Sequence, residues 1–164
     1  MQKTLKIRPA ANADHDAIWN IFHGVVAPGD TYTIDPNISR ADAFAYWFRD
    51  DTRTYVADID DRVVGTYTLR PNRSGGGAHV SNASFMVDPA VQGKGIGRAM
   101  AEHCLDEARR LGYRAMQFNS VVSTNQRAVR LWQMLGFNIV GTLPGAFRHP
   151  DKGFVDAYVM FREL

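Results

Sequence analysis

Cysteine is nearly absent from this chain. Cys104 is the only one in 164 residues, so no disulfide can close within the chain, and a reducing, cytoplasmic setting is expected. Cys104 falls on the apolar side of a helical pattern, which reads as a buried, inert thiol. His15, His23, His103 and His149 share no spacing that suggests a metal, and His79 reads either as a candidate base or, lying early in its strand, as a structural residue. No Cys/His or carboxylate cluster points to zinc or iron, so no metal is expected. Charge of one sign is missing too. The formal net charge is +2, which offers no footprint for nucleic acid or an anionic membrane. No apolar run is long enough to cross a bilayer. Met1–Lys6 holds too few apolar residues for a signal peptide. Repeats and low-complexity tracts are absent, and the length suits one domain over residues 1–164.

Two further absences concern the stretch around which the rest is arranged, Val87-Asp88-Pro89-Ala90-Val91-Gln92-Gly93-Lys94-Gly95-Ile96-Gly97-Arg98. A P-loop needs a hydroxyl after its lysine to hold magnesium, and Lys94 is followed by Gly95. A dinucleotide fingerprint needs a third glycine, and that position is Arg98 or Met100 depending on the register chosen. What remains is a basic, glycine-rich turn between an apolar strand pattern and a long amphipathic helix pattern. Such a turn exposes backbone N–H groups and adds the positive end of the helix dipole, which suits a phosphate or pyrophosphate.

The rest of the chain punctuates clearly. Residues 3–8 alternate as a first strand. Asn12 or Asp14 can cap a helix whose stripe is Ile18, Ile21, Phe22 and Val25. Pro28-Gly29-Asp30 breaks it. Ser39 caps a second helix carrying Ala43, Phe44, Trp47 and Phe48. Strands over 53–59 and 63–69 flank the turn signal Asp60-Asp61, an antiparallel hairpin. Residues 79–87 form a central strand, 95–111 a helix closed by Gly112, 113–121 a strand, and 125–135 a helix stopped by Gly136. Strands at 137–142 and 154–161 finish the chain. The order is β-α-α-β-β-β-α-β-α-β-β, with one parallel crossover at 79–121. It predicts an α/β (α+β) fold: a mixed, mostly antiparallel sheet with helices on both faces.

Gln92-x-x-Gly95-x-Gly97, following Val-Asp-Pro, resembles the pyrophosphate loop of the GNAT superfamily of N-acetyltransferases. A second block, Asn125-x-x-Ala128-x-x-Leu131-Trp132-x-x-x-Gly136-Phe137, resembles that superfamily's pantetheine-lining helix, and the element order agrees. The resemblance implies the GNAT fold, with the sheet splayed between its fourth and fifth strands. It implies acetyl-CoA as cosubstrate and direct attack by an amine, with no covalent enzyme intermediate. Gln92, Gly93, Lys94, Gly95, Ile96, Gly97 and Arg98 would hold the pyrophosphate. Phe85, Met86 and Val87 would line the thioester, with the Phe85 N–H on its carbonyl. Asn125, Ala128 and Trp132 would line the arm. The superfamily often has Tyr where Trp132 stands, and an indole N–H has no useful acidity. The usual acid for the leaving thiolate is therefore absent.

Asn82-x-x-Phe85, Asn119 and Asn125 resemble the fungal acetyltransferases that detoxify azetidine-2-carboxylate. By that resemblance Asn82 and Asn119 would position the attacking nitrogen or a water. Gly145–Pro150 and Gly153–Asp156 resemble the tail of the phosphinothricin-type enzymes. Arg148 there reads either as a carboxylate ligand or as a surface loop arginine. The stretch carrying Asp30 and Tyr32 reads either as a loop pinned by its tyrosine or as part of a substrate-binding site. The expected activity is N-acetylation of a small amine, amino acid or imino acid. A protein or peptide acceptor, or a non-catalytic coenzyme A sensor, is the alternative. A homodimer is compatible with the phosphinothricin-type resemblance.

Overall fold

The computed structural model describes residues 3–164. Its strands are β1 (Leu5–Pro9), β2 (Arg53–Ile59), β3 (Arg62–Pro71), β4 (Val80–Val87), β5 (Ala115–Val122), β6 (Asn138–His149) and β7 (Gly153–Glu163). Its helices are α1 (His15–Val26), α2 (Arg40–Trp47), α3 (Ile96–Arg110) and α4 (Gln126–Met134). The strands form one seven-stranded sheet ordered β1-β2-β3-β4-β5-β7-β6. Only β4 and β5 run parallel, joined by the α3 crossover. The other neighbours are antiparallel.

Alternation along the central strands sends side chains to opposite faces, and each face has its own helices. Val56 and Met86 join Ile18, Phe22 and Trp47 beneath α1 and α2. Tyr55, Ala57, Tyr67 and Met116 join Met100, Cys104 and Trp132 on the face of α3 and α4. Cys104 is fully buried there, and burial pushes its thiol pKa up, as expected for an inert thiol.

The local signals acted largely as expected. Ser39 caps α2 by accepting from the Asp42 N–H at 3.1 Å. The β2–β3 turn places Asp60 at φ 52° and Asp61 at φ 63°, the positive pair that a two-residue hairpin of right-handed strands requires. Two expectations are corrected. Neither Asn12 nor Asp14 caps α1 through its side chain. The Asp14 carboxylate instead accepts from the Ala11 N–H at 2.7 Å and from both terminal nitrogens of Arg8, because the guanidinium offers a stronger partner. The sixth strand also runs on past Thr142 to His149. It is an edge strand, where Pro144 breaks no ladder. A register irregularity between Leu143 and Phe147 absorbs the turn-like residues, and Asp156 Oδ1 accepts the Gly145 N–H at 3.0 Å.

Candidate active site

β4 and β5 pair only at Val80–Ala115 and Ser81–Met116, and then separate. The next residue, Asn82, spans the opening with its side chain: Nδ2 donates to the Gln117 carbonyl at 2.9 Å. Asn82 thus supplies across the gap the hydrogen bond that the backbone no longer makes. Further along, the antiparallel bonds to β3 fix which groups face the opening. Asn72 N–H bonds to Val80 O, and Asp88 N–H to Val64 O, each at 2.8 Å. The bonded pairs with β3 therefore fall on the even positions of β4, and the N–H and C=O of Ala83 and Phe85 turn towards the side that β5 vacates. On β5, Phe118 pairs with Met160 and Val121 with Tyr158, so Asn119 and Ser120 bulge out together.

A cleft of about 320 Å³ lies in this opening. Its floor includes Phe85, Phe118 and Trp132, whose rings pack with centroids 4.5 Å apart for Phe118–Trp132 and 5.1 Å for Phe85–Trp132. Trp132 is 9% exposed, a wedge between the two strands. Asn125 and Ala128 line the same cleft from the start of α4. Asn125 Oδ1 caps that helix through the Ala128 N–H, at 3.4 Å.

Where β4 ends, the glycine loop turns into α3. Gly93 has φ +82° and Gly95 +76°, left-handed values that side chains with a Cβ adopt at a cost. A Cβ on Gly95 would meet nothing within 4 Å, so the space over it is open. The first helical bond runs from Ala99 N–H to Gly95 O at 3.0 Å. The N–H groups of Ile96, Gly97 and Arg98 are left without intrahelical partners at the positive end of a helix that begins at Ile96 and ends at Arg110. Gln92, Gly93, Lys94 and Gly95 are exposed around this end. The cradle fits a pyrophosphate. Arg127, at the start of α4, adds a cation the sequence did not single out: its Nη2 lies 3.4 Å from where a Gly93 Cβ would be.

At the other end of the cleft the polar groups come from four separate segments. Asn119 Nδ2 donates to Asn72 Oδ1 at 2.8 Å, and Asn119 Oδ1 accepts from Gln117 Nε2 at 3.0 Å. Arg70, opposite Asn82 in register, stacks on Tyr46 with its guanidinium carbon 4.9 Å from the ring centroid. Tyr32 enters from the α1–α2 loop, and its hydroxyl donates to the Phe85 carbonyl. Burial pushes the Tyr32 phenol pKa up. Of the anticipated residues, Asn82, Phe85, Asn119, Asn125, Ala128, Trp132 and Tyr32 meet in this cleft. Asp30 and Arg148 are not among the described residues lining it. Arg148 sits on the outer strand β6, opposite Phe154. Arg70, Tyr46 and Asn72 carried no motif that could have marked them. Arg70 and Asn72 gain their places from the pairing of β3 with β4, and Tyr46 from α2, where its hydroxyl and ring meet Arg70. Among the described residues no group of His, Cys, Asp and Glu could hold a metal ion. Among the described residues no helix is long and apolar enough to cross a membrane.

Known proteins share this architecture. The chain is similar to a GCN5-related N-acetyltransferase from Kribbella flavida, at 46% identity and a TM-score of 0.94 over 98% of both chains. It also resembles yncA of Salmonella typhimurium, whose structure was solved with its cofactor acetyl-CoA. There the identity is 28% and the TM-score 0.85, over 98% of this chain and 94% of that one. Among curated proteins it is 32% identical over 145 residues to the L-amino acid N-acyltransferase MnaT of Escherichia coli, covering 85% of this chain and 83% of that protein. The family model for GNAT acetyltransferases matches residues 18–137. That match runs from within α1 to Phe137, just before β6, and takes in the α1–α2 loop, the glycine loop and α4; the chain accordingly belongs to the GNAT acetyltransferase family.

Proposed function

We propose that this acetyltransferase transfers the acetyl group of acetyl-CoA directly to the nitrogen of a small amino or imino acid. The observation that carries the reading is Arg70. It is the one charged side chain among the described residues lining the cleft, and no carboxylate lines it. A guanidinium in a partly desolvated cleft favours an acceptor that brings its own carboxylate. A polyamine or lysine side chain would meet a cation and no counter-charge. The likeness to an L-amino acid N-acyltransferase supports the same acceptor class.

Each residue then has a role set by its position. The Ile96, Gly97 and Arg98 N–H groups, with Lys94, bind the pyrophosphate, and Asn125 and Ala128 guide the arm. Acetyl-CoA supplies the acyl group as a thioester. The Phe85 N–H, facing the vacated side of β4, holds the thioester carbonyl and stabilises the charge that develops on its oxygen. Arg70 anchors the acceptor carboxylate. Asn119, fixed between Gln117 and Asn72, aims the neutral amine at the carbonyl carbon. The C–N bond forms as the C–S bond breaks, and the ammonium proton passes to water or to the departing thiolate. Trp132 contributes shape, not a proton.

The test is thiol release from acetyl-CoA with azetidine-2-carboxylate, methionine sulfone, free amino acids, their amides and a peptide panel. Turnover of the free acids and not of the amides is expected. In Arg70→Met, kcat/KM for the free acid should fall by roughly 10–100-fold, equivalent to about 1.5–3 kcal/mol for a hydrogen bond to a charged group. Turnover confined to peptides would sink the small-acceptor reading. Acetyl-CoA binding with no turnover across the panel would favour a sensor.

A further inference from the structure

We propose that Tyr32 is a positioning residue whose hydroxyl latches the α1–α2 loop onto β4 and thereby builds the acceptor wall of the cleft. The proposal rests on the acetyl-transfer reading above. It assigns Tyr32 a role through the loop, distinct from direct contact with substrate.

The argument begins with how the loop is held. Thr31, Tyr32, Thr33 and Ile34 line the cleft, so the loop is a wall and its placement sets the shape of the site. Its backbone bonds are local. Ala27 N–H bonds to His23 O, Gly29 N–H to Val26 O and Ile38 N–H to Asp35 O. Asn37 N–H bonds to Asp35 Oδ1 at 2.9 Å. Tyr32, Ile34 and Ile38 rest on the second core cluster, but apolar contacts alone allow sliding. Among the described residues, the hydrogen bond from Tyr32 to Phe85 O is the only one joining residues 27–38 to the sheet.

The acceptor of that bond exists because the sheet is unfinished. Phe85 O faces the vacated side, where a part-buried carbonyl that the sheet leaves unpaired needs a partner. It is also rigid, since the neighbouring positions of β4 stay zipped to β3. The latch therefore ties the loop to a fixed point on the same residue whose N–H is proposed to hold the thioester. Removing only the Tyr32 hydroxyl oxygen frees the loop while leaving the ring in its packing.

Tyr32→Phe is the experiment, read three ways. At saturating acetyl-CoA, the acceptor KM should rise about tenfold. The acetyl-CoA Kd from calorimetry should stay within about twofold. Backbone amide exchange should accelerate over residues 28–38 and stay unchanged in α3. Unchanged acceptor KM with unchanged exchange overturns the proposal. So does a lowered melting temperature in which both substrates weaken together, since that marks a general structural role. If the wild type turns over no amino acid, the acetyl-transfer reading fails on its own. Loop exchange then still decides the latch: acceleration supports it and no change removes it.

Discussion

The two ends of the cleft are built from different materials. At the end proposed for the pyrophosphate the free groups are backbone. The N–H groups of Ile96, Gly97 and Arg98 lie within three consecutive residues, aimed by the two left-handed glycines Gly93 and Gly95. At the other end, proposed for the acceptor, the polar groups are side chains from four places: Tyr32 on a loop, Arg70 and Asn72 at the end of β3, Asn82 on β4 and Asn119 on β5. A site made of contiguous backbone depends on conformation, and its demands appear as glycines. A site made of side chains drawn from many segments depends on tertiary pairing, and any one partner can change without disturbing the others' fold. The first arrangement suits an invariant ligand such as coenzyme A. The second suits an acceptor that differs between relatives.

That contrast can be pushed until it breaks. The largest effect is expected at Gly95→Val. A β-branched residue at φ +76° is strained, and its side chain fills the open space above the cradle. The acetyl-CoA Kd should weaken at least about 100-fold, roughly 2.7 kcal/mol, in calorimetry on a protein that still melts cooperatively. A modest change in Kd would mean that side-chain cations, not backbone, hold the pyrophosphate. Asn82→Ala comes next. It leaves the Gln117 carbonyl without its partner at the point where β4 and β5 part, costing roughly 1–3 kcal/mol, or about 2–10 °C in melting temperature. Because Asn82 holds the opening at its apex, kcat should fall too, with acetyl-CoA affinity less affected.

The smallest effect lies outside the cleft and serves as its control. Glu107 pairs with Arg110 at 2.8 Å and accepts from Tyr55 at 2.7 Å, both beneath β2 and β3. These partners, Arg110 first, hold the Glu107 pKa down at about 2. Burial and then the Glu107 bond push Tyr55 up to about 12. A carboxylate with a lowered folded pKa stabilises the protein above its unfolded value and loses that contribution as pH falls towards 2. Glu107→Gln should flatten the melting curve's dependence on pH between about 4.3 and 2, while kinetic constants at neutral pH stay put. A shift in acceptor KM would mean the two ends are not as separable as their construction implies.

The sequence was legible to the same degree that each feature was local. Gly112 and Gly136 stop their helices with φ +87° each, and Asp60-Asp61 turns the hairpin it announced. The glycine loop stood out because three glycines and two cations in six residues have few other uses. Arg70 could not be found that way. It ends an ordinary alternating strand, and only the β3–β4 register places it opposite Asn82. Asn72 likewise looks like the first residue of a turn until β5 brings Asn119 to it. Arg148 drew notice through a tail motif, yet strand order puts β6 at the sheet's edge, with β7 between it and β5. Even Asn82, which does line the cleft, has its Nδ2 committed across the strand gap, a use its motif did not announce.

The unfinished seam between β4 and β5 has one more consequence, and it concerns abundance. The Ala83 backbone groups and the Phe85 N–H face the gap, while the Phe85 carbonyl is taken by Tyr32; on the proposed reading the free groups are open to the amides of an extended ligand. Such a ligand binds the folded chain and has nothing to bind in the unfolded one, so it acts as a mass-action stabiliser. At a hundred times its Kd it adds about 2.7 kcal/mol to the folded state. The lifetime of this protein against unfolding and proteolysis therefore tracks the supply of its own cosubstrate.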